Sequence, residues 1–126
     1  PTLGALSGVA GPKTSEGLDL SATLRNPATP ARTSLMFAYQ KVQRSLRDER
    51  YKLIRYPQVD RTQFFDLVAD PAERTDLSGR PEHAARITAM TAALAAEMKR
   101  VDDPAELTVA SPRPAAWSPP PVRVKK

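Results

Sequence analysis

Residues 43–67 constrain the fold of this chain more than any other stretch of the sequence. They contain two short runs of aromatic and aliphatic residues, at positions 51–56 and 64–67, and turn-forming residues bound each run. Runs of this length and composition are typical of neighbouring strands in an antiparallel sheet. The stretch therefore predicts the centre of a small sheet.

The same pattern predicts three strand regions, at residues 34–47, 50–56 and 62–68. Pro57 ends the second region because a proline has no N–H to donate to the neighbouring strand. Pro71 marks a turn after the third region because its fixed backbone angle suits turns. We expect an antiparallel sheet of three to four strands.

The turn between the first two strand regions is predicted at residues 48–49, because aspartate side chains form hydrogen bonds with nearby backbone in turns. With these residues at the turn centre, Leu46 lies opposite Tyr51 and Arg44 lies opposite Leu53. Leu46, Tyr51 and Leu53 then share one face of the sheet.

The clearest helix is predicted to begin at Pro81, because the missing N–H of a proline costs little in the first turn. Glu82 lies in the first turn and Lys99 and Arg100 lie in the last turn, which matches the helix dipole. Residues 102–104, an acidic pair and a proline, end the helix. Apolar residues at spacings of three and four form a stripe that must pack against the sheet. The stripe consists of Ile87, Met90, Leu94, Met98 and Val101.

The hydrophobic core is expected to be small, because only 40% of the residues are apolar and many of these are alanine. A core of this size benefits from a partner surface that covers it. Its expected members are large apolar residues of the strands and the helix. They are Leu35, Phe37, Leu46, Tyr51, Leu53, Ile54, Phe64, Phe65, Leu67, Ile87, Met90, Leu94 and Met98.

The two ends of the chain are poorer in core residues than the middle. Residues 1–33 predict a short helix followed by an irregular connector, residues 34–103 a sheet with its helix, and residues 104–126 an extended proline-rich tail that Trp117 pins to a surface. The chain starts without a methionine or a signal peptide, and no apolar stretch approaches the ~20 residues that span a bilayer. We expect a segment of a longer protein, with any export signal upstream.

The formal charge of +5 and the pI near 9.9 permit contact with nucleic acid, acidic glycans or sulfate esters. Seven basic residues interleave with the three tyrosines of the chain, a composition that single-stranded nucleic-acid platforms use. They are Lys41, Arg44, Arg47, Arg50, Lys52, Arg55 and Arg61. The favoured interpretation is the solvent-facing side of a sheet. A free-standing basic module that binds nucleic acid or an acidic partner is the alternative function.

No residue pattern in the chain predicts a catalytic or metal site of its own. The absence of cysteine excludes a disulfide, a thiolate metal site and a cysteine nucleophile. His83, the only histidine, lies in the first turn of the predicted helix and is interpreted as solvated. Asp102 and Asp103 are interpreted as a solvated stop signal rather than a cation site.

Four short motifs resemble, in the same order and with the same spacings, the C-terminal part of the formylglycine-dependent sulfatase family. They are Pro1-Thr2-Leu3 with Gly8-Val9 and EGLDL at 16–20, RDERYKLI at 47–54, FDL at 65–67, and Asp70-Pro71 with Glu73 and Asp76-Leu77. The resemblance covers nearly the whole chain. The sequence departs from the family pattern at Glu49, where glycine is common, and at Arg80, where a capping aspartate is more usual.

This resemblance implies an α+β fragment of an alkaline-phosphatase-like α/β enzyme, with a small antiparallel sheet packed against one C-terminal helix. The implied function is that of the C-terminal subdomain of a sulfatase, a sulfuric ester hydrolase. Such a subdomain covers the catalytic domain and shapes the substrate entrance without being catalytic alone. Residues 1–33 then form the end of the catalytic domain and a connector.

The implied partners are the upstream catalytic domain of the same chain and a sulfated substrate such as a glycan, with no nucleic acid and no membrane span. The implied location is the periplasm or the extracellular space.

The catalytic motif of the family, Cys/Ser-x-Pro-x-Arg, is absent from the chain. The nearest approach, residues 21–25, lacks the proline. Calcium and a formylglycine residue are implied only in the full-length enzyme. No catalytic or metal residue is therefore predicted in this chain.

Residues 37–44 resemble a subgroup of the family in which the loop before the hairpin approaches the substrate opening. By this resemblance we predict that Tyr39, Gln43 and Arg44 bind substrate. The planar guanidinium of Arg44 suits a sulfate or a carboxylate. The alternative places Arg44 on the solvent face of its strand.

Overall fold

A computed structural model gives the fold of the protein and describes residues 1–15 and 17–116. The chain forms two compact units, of which the first comprises residues 1–33 and the second begins at Ser34. The predicted anchor Trp117 lies outside the described residues.

The first unit contains two short helices, α1 (Thr2–Ser7) and α2 (Ser21–Arg25). Helix α1 ends at Gly8, which adopts a left-handed conformation with φ of 72° that costs other residues energy. Helix α2 lies inside the stretch predicted to be irregular. The carboxylate of Asp19 accepts hydrogen bonds from the backbone N–H and the hydroxyl of Ser21 at 2.8 and 3.1 Å, which fixes the first turn of this helix.

The second unit contains a four-stranded antiparallel sheet in the order β1-β2-β3-β4. Its strands are β1 (Leu35–Tyr39), β2 (Gln43–Arg47), β3 (Tyr51–Tyr56) and β4 (Arg61–Asp66). The first predicted strand region divides in two because residues 40–42 form a turn. The predicted fold class, a small antiparallel sheet with one C-terminal helix, is confirmed.

The turn between β2 and β3 lies further along the chain than the sequence predicts. Leu46 pairs with Leu53 and Arg44 pairs with Arg55, so the predicted register was wrong by two residues. The reason is Asp48, whose Oδ1 accepts the backbone N–H groups of Arg50 and Tyr51 at 2.9 and 2.6 Å. Asp48 therefore opens the turn instead of standing at its centre. A shift of two residues leaves every side chain on its predicted face.

Strand β4 ends at Asp66, two residues before the predicted end. The Oδ1 of Asp66 accepts the N–H groups of Val68 and Ala69 at 3.0 and 3.1 Å, which turns the chain away from the sheet. The outer edge of β4 is partly covered, because Asp76 Oδ1 accepts the N–H of Phe64 at 3.1 Å.

Helix α3 (Ala84–Arg100) packs its apolar stripe against one face of the sheet, as predicted. A single 3₁₀ turn, Pro81–His83, precedes it. The core cluster consists of Leu46, Leu53, Phe64, Met90, Leu94 and Met98. Val101 falls outside the stripe and is 48% exposed, because the helix ends before it.

Two predicted core residues on β1 are not buried. Leu35 and Phe37 are 36% and 47% exposed, because they alternate with Met36, which packs against the core from the other face of the strand. Ile54 and Phe65 are buried as predicted, but on the face turned away from α3.

The end of α3 is a Schellman motif. Asp102 adopts a left-handed conformation with φ of 52°, and the N–H of Asp103 donates to the carbonyl of Met98 at 2.9 Å. The chain then turns back, so that Ala105 and Leu107 of the predicted tail pack against the core. Among the described residues, no helix is long and apolar enough to cross a membrane.

Candidate functional site

The β1–β2 hairpin carries the residues that the sequence predicts to bind substrate. Tyr39 and Gln43 face each other across the turn as a cross-strand pair. Tyr39 is 57% exposed and Gln43 is half-buried. The two side chains share the sheet face turned away from α3, because side chains alternate along each strand.

Arg44 lies on the opposite face, among the residues that pack under α3. The Nε and Nη2 groups of Arg44 donate to the two carboxylate oxygens of Asp103, at 2.5 and 3.1 Å. Its Nη1 donates to the carbonyls of Gln40 and Gln43, at 2.7 and 2.8 Å. The residue is only 7% exposed, so the alternative that places it on a solvent face is wrong. The structure therefore brings Tyr39 and Gln43 together and leaves Arg44 beneath them, and its contact with substrate stays a prediction.

Asp103 is an ion-pair partner, and the interpretation of it as a solvated stop signal was wrong. Hydrogen bonding from Arg44 lowers the pKa of Asp103 below its ordinary value, against a smaller opposing effect of burial. Sequence analysis missed this pairing because 59 positions separate the two residues. One signal was present: Arg44 alternates with Leu46 and so faces the core, where a charge needs a partner.

His83 is not fully solvated, as the sequence had suggested, but half-buried. Its ring packs beside Phe64 and Tyr51, with ring centroids 5.6 and 6.1 Å away. Tyr51 and Phe64 are stacked at 5.1 Å with an angle of 16° between their planes. This arrangement makes His83 part of the packing at the start of α3.

The sulfatase nucleophile and the calcium site have no counterpart among the side chains described. Ser21, at the position closest to the catalytic motif, is buried in α2 and bonded to Asp19. Within residues 1–15 and 17–116, no group of three or more His, Cys, Asp or Glu side chains could hold a metal ion. Residues that fit either group are thus absent from the part of the chain that the structure describes.

Several of the basic residues that suggested nucleic-acid binding are engaged in ion pairs. Arg50 pairs with Asp66 at 2.8 Å, Lys52 pairs with Glu73 at 2.7 Å, and Arg55 pairs with Asp60. The interpretation of the seven basic residues as solvent-facing was wrong for Arg44 and Arg55, whose side chains are only 9% and 13% exposed.

The sequence matches the family model described as N-sulphoglucosamine sulphohydrolase, C-terminal, over residues 1–101. Among curated proteins, no sequence matches the chain.

Solved sulfatase structures share the fold. The structure of BT4656 in complex with its substrate D-glucosamine-2-N,6-O-disulfate matches with a TM-score of 0.72 and 26% identity. A putative sulfatase from Bacteroides thetaiotaomicron VPI-5482 gives 0.70 and 28%, and BT1596, a 2-O GAG sulfatase, gives 0.69 and 28%. Each match covers 82% of this chain and 24% of the other chain, so this chain spans about a quarter of their length.

The sulfatase prediction is confirmed by these matches, and none of them supports the nucleic-acid alternative. The family model covers most of the chain, and the four-stranded sheet with its C-terminal helix agrees with the sulfatase structures. This chain therefore belongs to the N-sulphoglucosamine sulphohydrolase C-terminal family.

Proposed function

We propose that this chain is the C-terminal part of a sulfuric ester hydrolase that acts on sulfated glycans, and that it forms one wall of the substrate entrance. The observation that carries the proposal is the family match over residues 1–101 together with the shared fold. The substrate class is suggested by two relatives, of which one is bound to a disulfated glucosamine and the other is a 2-O GAG sulfatase.

The catalytic groups belong, in this proposal, to the upstream part of the same protein. A formylglycine and a calcium ion would supply the nucleophile and the charge that binds sulfate there. The described residues offer neither a nucleophile motif nor a set of metal ligands. The chain alone is therefore expected to release no sulfate.

The edge strand β1 supports the idea that this domain covers a larger one. Leu35, Phe37 and Tyr39 project from the same side of the strand and are 36%, 47% and 57% exposed. A row of exposed large side chains along a sheet edge favours burial against a partner surface. The partner proposed is the catalytic domain, which fits the quarter of the relatives' length that this chain spans.

At the turn end of this row, Tyr39 and Gln43 are proposed to face the substrate opening. A tyrosine ring can pack against the apolar face of a sugar, and a glutamine amide can both donate and accept hydrogen bonds. A secreted or periplasmic enzyme is proposed, as the resemblance to the sulfatase family implies.

The test is sulfate release by the full-length enzyme that contains this chain, with N-, 2-O- and 6-O-sulfated glucosamine or uronate oligosaccharides. Tyr39→Ala and Gln43→Ala should raise KM about tenfold each, since each removes one substrate contact worth ~1.4 kcal/mol. Val68→Ala, at a site 69% exposed on the far turn, is the control and should leave KM unchanged.

Two results would contradict the proposal at different levels. An enzyme that releases no sulfate from any of these oligosaccharides overturns the activity. If the enzyme is active but neither hairpin substitution changes KM, only the proposed role of the hairpin is overturned.

A further inference from the structure

We infer that Arg44 and Asp103 are positioning residues: the end of helix α3 holds the β1–β2 turn, and so Tyr39 and Gln43, through the Arg44 guanidinium. The inference rests on the proposed function for its effect on substrate. Its structural part, the support of the turn, does not depend on that function.

The guanidinium of Arg44 is used on two sides at once. Toward the helix, it forms a two-bond fork with the carboxylate of Asp103, at 2.5 and 3.1 Å. Toward the hairpin, its Nη1 donates to the backbone carbonyls of Gln40 and Gln43, at 2.7 and 2.8 Å. Four of the five N–H donors of an arginine are thus engaged inside the protein. Little capacity is left for a sulfate group.

Asp103 is itself held in place by the backbone at the end of α3. Its N–H donates to the carbonyl of Met98 at 2.9 Å, and its Oδ1 accepts the N–H of Ala105 at 3.0 Å. Asp102 supplies the left-handed residue that this helix ending requires. The carboxylate is therefore a fixed point, and Arg44 is oriented by it.

The turn that Arg44 supports needs such support. Gln40 has φ of 46°, a left-handed conformation that is unfavourable for a residue with a side chain. Within the turn, the N–H of Val42 donates to the carbonyl of Tyr39 at 3.1 Å, at the long end of the normal range. The two bonds from Arg44 to Gln40 and Gln43 hold the carbonyls on either side of this loop.

The interaction depends on the geometry of both side chains as well as on their charges. A lysine at position 44 is a point charge and cannot form the fork with Asp103 while holding two carbonyls. An asparagine at position 103 keeps the size of the side chain but removes the charge and one acceptor. Arg44→Lys and Asp103→Asn therefore weaken the same interaction, each through one of its two partners.

The experiment compares these two variants in the full-length enzyme, with Arg86→Ala as the control because Arg86 forms an exposed ion pair at the other end of α3. Amide hydrogen exchange at Val42 reports on the turn, and exchange at Leu53 and Leu94 reports on the core. Both variants should speed exchange at Val42 about tenfold, while exchange at the two core amides reports any accompanying loss of stability of the whole domain. Both should raise KM by similar factors while kcat is largely retained. Arg86→Ala should do neither.

Three outcomes decide the matter. Unchanged exchange at Val42 in both variants overturns the inference. A raised KM in Arg44→Lys with normal KM and exchange in Asp103→Asn also overturns it, because Arg44 then binds substrate directly. If exchange at Val42 is faster but the enzyme has no sulfatase activity, the positioning of the turn is supported. The proposed function is then overturned.

Discussion

Helix α3 is tied to the sheet at both ends, but by different chemistry. At its start, Arg86 pairs with Asp48, and the guanidinium groups of Arg50 and Arg86 lie 5.1 and 5.4 Å from the centre of the Tyr51 ring. The Arg86 side chain is 48% exposed. At its end, the side chains of Arg44 and Asp103 are only 9% and 11% exposed.

This difference indicates where ion pairs contribute to the stability of the domain. An exposed pair is screened by water and contributes little, so the start of α3 depends mainly on stacked rings. A buried pair has lost its hydration, so removing one partner leaves a charge without compensation. The end of α3 is thus more sensitive to a single substitution, although it has no aromatic packing in the described contacts.

The largest effect is expected from Asp103→Ala. It leaves the buried Arg44 guanidinium without its carboxylate and should lower the free energy of opening of the end of α3 by about 3 kcal/mol. Native-state hydrogen exchange in the full-length protein measures this energy. Asp102→Asn, at the exposed neighbouring position, is the matched control and should change it by less than about 0.5 kcal/mol. Equal effects would mean that burial does not distinguish the pair.

A smaller loss is expected from Tyr51→Ala at the start of the helix. It removes the ring that stacks on Phe64 and should cost about 2 kcal/mol, because Tyr51 is only partly buried. Tyr51→Phe keeps the ring and should stay within about 0.5 kcal/mol of the parent protein. The same exchange experiment, read at the first turns of α3, gives both values. A large loss of stability in Tyr51→Phe would show that the hydroxyl group, and not the ring, stabilises the start of the helix.

Arg86→Ala should have a still smaller effect, of about 0.5 kcal/mol, because its ion pair is exposed. Raising the salt to about 1 M should remove most of this difference, since screening then acts within a few ångströms. The effect of Asp103→Ala should hardly respond to salt. Equal salt dependence at the two ends would break the comparison.

The stability of the folded protein should depend on pH only in acid. Hydrogen bonding from Arg44 lowers the pKa of Asp103. Burial opposes ionisation of Asp48, but the N–H donors of Tyr51 and Arg50 and the Arg86 charge outweigh it, so its pKa is also lowered.

A pKa that is lower in the folded protein stabilises it fully above the unfolded value of about 3.9, and this stabilisation is lost as the pH falls through the folded value. Stability should therefore be flat above about pH 5 and fall below about pH 4. NMR titration of the side-chain carboxyl carbons measures the two pKa values. A folded pKa at or above the ordinary value for Asp103 would contradict the buried pair.

The sequence was sufficient for those parts of the fold that depend on periodicity. The shared face of Leu46, Tyr51 and Leu53 was predicted correctly, and so was the stripe of Met90, Leu94 and Met98, because burial acts on every repeat. In β1 the prediction was wrong, since Met36 packs against the core in place of Leu35 and Phe37. Turn details escaped prediction because single hydrogen bonds decide them. The carboxylate of Asp48 shifts the pairing of β2 with β3 by two residues, and the left-handed Gln40 lies in a turn that was not predicted.

The candidate site was predictable only in part. Tyr39 and Gln43 are near neighbours in the sequence, so a hairpin brings them together. The link from Arg44 to Asp103 depends on how the end of α3 meets the sheet. Such a contact depends on tertiary packing and leaves no local pattern in the sequence.

The register of β2 against β3 also limits how this domain can vary in length. A slip of β2 by one residue would turn Ser45 toward α3 and remove Leu46 from the core, whereas a slip of two residues keeps the side chains of β2 on their present faces. Insertions or deletions that are absorbed by sliding these strands are therefore tolerable only in even numbers. An odd one must be accommodated as a bulge or in the loop that Asp48 opens.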